Sequence, residues 1–209
     1  LTSVYTPEQK QDKKILIFGV QNARGDDLYE LQSKLQEKYT TVDLMTTTSD
    51  KVLADEDEID NRVLPIASNY DLVICDAYAW KSGNIAKQSS LNYNLITIAN
   101  DDNTGNNNLI GESYMVTDAL IESIVSQTGV LSNIPMGIIS EGEMDSNITK
   151  IRFKDQVDTL LTGTYFDDTN IYDIVGYTTI GQYKQIHSQT IFEYNYVQVL
   201  EALVGLALE

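Results

Sequence analysis

Three apolar runs restrict this chain more than any other feature: Lys14-Ile15-Leu16-Ile17-Phe18-Gly19-Val20, Tyr70-Asp71-Leu72-Val73-Ile74-Cys75-Asp76 and Asn94-Leu95-Ile96-Thr97-Ile98-Ala99. A strand that is apolar at nearly every position, rather than at alternate ones, has to be covered on both faces. Helices packed on either side of a parallel sheet provide that cover.

The segments between the runs fit this arrangement. Leu28, Leu31 and Leu35 recur at helical spacing, with Asp26 and Asp27 opening the segment and Lys38 closing it, so 26–38 reads as a helix with acids in its first turn. Residues 41–45 read as a second strand. A helix within 50–67 has Val52, Ile59, Val63 and Leu64 for its buried face. Four strands with helical crossovers predict an α/β fold of three layers with a mainly parallel sheet.

Residues 101–108 are rich in Asn and Asp and read as a loop. Met115, Leu120, Ile121, Ile124 and Val125 predict a further helix over 112–127, stopped at Gly129. Beyond it, 134–139, 158–166, 172–180 and 190–194 have strand character, which gives the domain a β-rich C-terminal portion. Val199, Leu200, Leu203, Val204 and Leu206 predict a last helix over 196–206. The layout is a polar tail over 1–12, one domain over 13–207, and a two-residue remnant of cloning at Leu208-Glu209. Because the chain opens on Leu1, it reads as a domain excised from a larger protein.

Charge restricts the partners. Fourteen Lys+Arg against 31 Asp+Glu give a formal charge of -17, which repels phosphate backbones and anionic membranes and argues against nucleic acid as a partner. No stretch approaches the roughly 20 apolar residues of a membrane span, so direct membrane insertion is not expected of this segment. The single Cys cannot form an intramolecular disulfide. The sequon Asn147-Ile148-Thr149 and the abundance of Tyr, Asn and Thr point to an exported or surface protein, with the cytoplasm as the alternative.

Asp76 closes the third apolar run, where a strand of an open α/β sheet delivers a side chain to the ligand edge. This placement resembles the phosphoacceptor of response-regulator receivers, but that chemistry needs acids directly after the first strand to hold Mg²⁺. Here Gly19-Val20-Gln21-Asn22 follows instead, and the next residues, Ala23-Arg24-Gly25, complete no phosphate-binding loop. Cys75 lies inside an apolar run and reads as a buried thiol rather than a nucleophile. Asp101 and Asp102, with Asn103, Asn106 and Asn107, are the candidate ligands for Ca²⁺ or Mg²⁺, although the loop also reads as a plain polar turn. Tyr78 and Trp80, with Asp76 and Asn100, are candidates for holding a carbohydrate or a peptide, since aromatic faces stack on sugar rings and amides satisfy hydroxyls.

The lone histidine lies in Gln185-Ile186-His187-Ser188-Gln189. That phrase, the run Tyr70 to Ile74, the strand Leu95 to Ala99 followed by Asn100-Asp101, and the closing helix Val197 to Leu206 together resemble the class I glutamine amidotransferase-like superfamily. Within it they are similar to the ThuA-like branch that lacks amidotransferase activity. The resemblance implies a flavodoxin-like fold. It argues against amidotransferase chemistry, because Gln189 stands where the catalytic Glu would be and no G-x-C-x-G elbow is present.

The expected function is therefore a non-catalytic binding or interaction module with a small-molecule, carbohydrate or protein ligand. One alternative is a hydrolase-like or metal-assisted enzyme using Asp76, Asp101, Asp102 and His187 at the ends of strands 70–76 and 94–99. The other is an assembly domain.

Overall fold

The computed structural model describes residues 9–48, 56–78, 83–99, 108–116, 121–126, 130–131, 148–165, 169–189 and 195–209. The first half follows the predicted alternation: β1 (Gln11–Gly19), α1 (Gln21–Gln36), β2 (Tyr39–Thr46), a helical stretch, β3 (Leu72–Tyr78) and β4 (Asn94–Ala99). The helical stretch is an α turn, α2 (Glu56–Glu58), a π turn over Ile59–Val63 and a 3-10 turn over Leu64–Asn69, with Pro65 in its first positions. A second 3-10 turn, Gly83–Lys87, follows β3. Then come β5 (Ile110–Val116), β6 (Ile121–Ser126), β7 (Ile148–Phe153), β8 (Asp158–Tyr165), β9 (Ile171–Ile180), β10 (Tyr183–Ser188) and α3 (Tyr196–Ala207).

Among the described residues, ten strands form one sheet, ordered β2-β1-β3-β4-β10-β9-β7-β5, with β8 joined to β9 and β6 joined to β8. Strands β2, β1, β3, β4 and β10 pair in parallel. Every pairing of β5 to β9, including β9 with β10, is antiparallel. The sheet is thus mixed rather than mainly parallel. The strands described between β4 and β10 pair antiparallel to one another, and antiparallel strands need no crossover helix.

Side chains of successive strand residues point to opposite faces. On one face, Ile17, Ile74, Ile96 and Ile186 lie in register on four adjacent strands. All four are fully buried, in a core shared with Leu28, Leu31 and Leu35 of α1 and Val199, Leu200, Leu203 and Val204 of α3. On the other face, Leu16, Phe18, Val73, Cys75 and Leu95 pack with Ile59, Val63, Ala67 and Ile85 from the irregular helical turns. Helix α1 sits close to β1 because Gly19 has no side chain. A Cβ there would lie 2.6 Å from both methyl carbons of Leu28.

Two carbonyls of β2, the terminal strand of the sheet order, accept side-chain donors. Gln32 Nε2 reaches Val42 O at 3.0 Å, and Arg62 Nη1 reaches Thr46 O at 3.0 Å while also holding Glu58 at 2.7 Å.

Three expectations need correction. The helix predicted over 112–127 is two strands: β5 pairs with β7 and β6 with β8. A register shift between Ile121 and Ser123 breaks the two-residue period of β6, which leaves Ile121 and Ile124 at a spacing that imitates a helix. Helix α1 begins at Gln21, so Asp26 and Asp27 lie in its second turn and not its first. Strand β10 was not expected, because its buried positions include Gln185, His187 and Ser188. The strands expected at 134–139 and 190–194 fall outside the described residues. Among the described residues no helix is long and apolar enough to cross a membrane.

Candidate functional site

Asp76 is fully buried near the C-terminal end of β3, on the face covered by α1 and α3. Its row across the sheet continues through Ile98 of β4 to Ser188 of β10. Two partners meet its carboxylate. Arg24 of α1 places Nε 3.2 Å from Asp76 Oδ2 as a buried charge contact, and the Tyr196 hydroxyl at the start of α3 donates to the same oxygen at 2.7 Å. The Arg24 guanidinium also lies over the Tyr196 ring, 4.6 Å from its centre. This arrangement ties three elements together. A buried carboxylate is tolerable only when it is paired and hydrogen-bonded, and here both conditions are met. Burial pushes the Tyr196 phenol well above its ordinary range, and the neighbouring Asp76 charge adds to the effect.

The next row up the sheet belongs to the opposite face. Cys75, Thr97 and His187 lie in register on β3, β4 and β10, and all three are fully buried. Thr97 Oγ1 and His187 Nδ1 share a hydrogen bond at 2.9 Å. Phe153 of β7 packs edge-on against the imidazole with ring centres 6.5 Å apart, and it occupies the space that a Cβ on Gly176 would need. Burial, followed by the charges of Asp76 and Asp60, pushes the Cys75 thiol far above its ordinary range. We therefore expect the native protein to react with a thiol reagent at pH 8 roughly 100-fold or more slowly than the urea-unfolded chain. A rate within about tenfold of the unfolded chain would show that Cys75 is accessible.

The sheet does not bring Asp76 and His187 together. They come from adjacent rows with opposite facing, so the convergence that the enzymatic alternative requires of them is not formed. The backbone of Tyr78 closes β3, while its side chain, and all of Trp80, Asn100, Asp101 and Asp102, lie outside the described residues. Among the described residues no group of three or more His, Cys, Asp or Glu is placed to hold a metal ion.

Among the described residues, an open cleft of about 440 Å³ runs along the first two turns of α1, lined by residues 21–27. Its side chains are polar: Gln21, Asn22, Arg24, Asp26 and Asp27. Thr47, after β2, receives the Gln21 N–H at 3.2 Å and so fixes the start of the helix. Burial raises the Asp27 carboxyl above its ordinary value, while the Arg24 charge pulls it back. The cleft begins where β1 ends. The connection after β1 runs to the α1 face, and Ile85 in the turn after β3 packs on the other face. Adjacent strands whose connections leave to opposite faces form the crevice where open α/β sheets bind ligands.

Sequence reasoning singled out Asp76 as a ligand-facing residue but not its buried partners Arg24 and Tyr196. One signal was available: Tyr196 is an aromatic residue carrying a polar group at the start of an otherwise apolar helix, and a buried tyrosine hydroxyl needs a partner.

No protein-family model matches this sequence, and no curated protein does. Among solved structures the chain is similar to two proteins of Salmonella typhimurium. With "Cytoplasmic Protein STM3548" it shares 12% identity at a TM-score of 0.51, covering 93% of this chain and 98% of the other. With "Cytoplasmic Protein STM1381" it shares 9% identity at a TM-score of 0.52, covering 92% and 99%. At such identity the likeness carries the α/β fold and nothing further.

Proposed function

We propose that this chain is a non-catalytic binding module on a flavodoxin-like, amidotransferase-like scaffold, taking a hydroxyl-rich ligand such as a carbohydrate, or a peptide, in the cleft at residues 21–27. The strand order β2-β1-β3-β4-β10 supports the scaffold, because a parallel 2-1-3-4-5 order with ligand at the β1/β3 crevice is the flavodoxin-like pattern. The observation that carries the function is the use made of the reactive side chains. Asp76 is held by Arg24 and Tyr196, His187 by Thr97, and Cys75 is sealed in the core. The cleft beside them instead presents the amides of Gln21 and Asn22 and the carboxylates of Asp26 and Asp27, which hydrogen-bond hydroxyls and peptide groups.

The test is a thermal-shift and calorimetric screen of the whole chain against mono- and oligosaccharides and short peptides. We expect at least one class to raise the melting temperature saturably, with affinity falling roughly tenfold in Asn22→Ala, the loss of about one hydrogen bond to a ligand. If no compound binds, or if Asn22→Ala binds as tightly as the native chain, the cleft is not the site.

A further inference from the structure

Among the described residues β2 ends the sheet order, with β1 its one neighbouring strand. The Thr47 N–H, just past β2, donates to Gly19 O of β1 at 3.0 Å. Backbone polar groups of successive strand residues point to opposite edges, so those of Val42, Leu44 and Thr46 point away from β1. Such an edge is a template on which another chain adds a strand. Here two side chains reach across it, from opposite faces of the sheet. Gln32 belongs to α1, whose leucines pack on one face, and Arg62 belongs to the π turn, whose Ile59 and Val63 pack on the other. Gln32 Nε2 donates to Val42 O and Arg62 Nη1 to Thr46 O, each at 3.0 Å. These carbonyls flank the outward carbonyl of Leu44. Arg62 is itself aimed: Nη1 also meets Glu58 Oε1 at 2.7 Å, and its guanidinium carbon lies 5.9 Å from the centre of the buried Phe18 ring.

We propose that Gln32 and Arg62 close the β2 edge against a second copy of this chain. The partner that an open edge would admit most directly is the same edge of another copy, β2 against β2 in antiparallel pairing about a two-fold axis. Strand addition uses outward N–H and C=O groups in alternation along the edge. Two of the three outward carbonyls already hold side-chain donors, and an incoming strand has to displace both. It also has to cover the Arg62 guanidinium, and taking a charge out of water is costly unless its partners are restored. Charged side chains are a common means of blunting sheet edges. In this chain the charge is fixed in position by Glu58 and Phe18, and an amide from the opposite face completes the barrier.

The test compares the full chain with the double variant Gln32→Ala, Arg62→Ala at high salt, so that the formal charge of -17 is screened and does not itself hold copies apart. Light scattering after size-exclusion chromatography reads the mass, and amide hydrogen exchange reads the N–H groups of Val42, Leu44 and Thr46. In the native chain, exchange at these amides is expected to be independent of protein concentration. The double variant is expected to dimerise as concentration rises, with exchange at the three amides slowing roughly tenfold or more. The proposal fails if the double variant shows no dependence on concentration, or if it associates without slowing at these amides. Equal slowing in the native chain overturns it too, because the edge would then be open. Should the double variant not fold, Arg62→Ala is read in the same way, since Arg62 is exposed. Exchange at Thr46 that does not change with concentration in that variant overturns the proposal equally.

Discussion

Replacing Asp76 by alanine is expected to destabilise the protein by about 3–5 kcal/mol, the cost of leaving one partner of a buried ion pair uncompensated. Arg24 is 5% exposed, so its guanidinium would lose the carboxylate while remaining out of reach of bulk water. The Tyr196 hydroxyl would lose its acceptor in the same step. For a chain of this size the change corresponds to a fall in melting temperature of roughly 6–20 °C, which urea unfolding followed by circular dichroism would check. Arg24→Met combined with Asp76→Leu removes both charges and should recover much of the loss, since an apolar pair of similar volume often equals a buried ion pair. A loss below about 1 kcal/mol in Asp76→Ala would mean that the contact between β3, α1 and α3 carries little weight.

Ile74→Ala is expected to cost about 2–5 kcal/mol, through lost burial and the cavity left behind. Ile74 stands between Ile17 and Ile96 in the four-isoleucine row, with no solvent contact. Neighbours on both adjacent strands are held by backbone pairing, and α1 and α3 close the face above, so little can move in to fill the space. Ile74→Val removes one methyl group and should cost only about 0.5–1.5 kcal/mol. Equal effects of the two substitutions would show that the row collapses around the gap.

The same row explains why half of the fold was legible in the sequence. Uninterrupted apolar runs at Ile15–Phe18, Leu72–Cys75 and Leu95–Ile98 can satisfy their burial in few ways, and the structure uses the expected one. Asp76 could likewise be placed at the sheet edge from its position after such a run. Its partners could not, because Tyr196 is 120 residues away and nothing local to either residue encodes their meeting. Strand β10 escaped notice for a different reason. Its polar positions are buried against partners supplied from elsewhere, with Gln185 bonded to Ala86 O at 2.8 Å and to Asn108 at 3.1 Å, and His187 bonded to Thr97. Burial normally announces itself through apolarity, and that rule fails where hydrogen bonds from distant residues compensate. The misread segment at 112–127 shows the converse: apolar residues at helical spacing that are divided between two strands, one of them with a register shift.

The position of β10 in the sheet order also bears on how the chain is made. Thr97 and His187 sit side by side on paired strands but are 90 residues apart in sequence. At a synthesis rate of about 5–20 residues per second, the outer edge of β4 waits roughly 5–20 s on the ribosome before its partner strand has been built. An unpaired apolar strand edge is the surface on which nascent chains aggregate. For this protein, then, the interval between translating β4 and β10 is the period when a chaperone matters most, and slow codons in the intervening stretch would lengthen it.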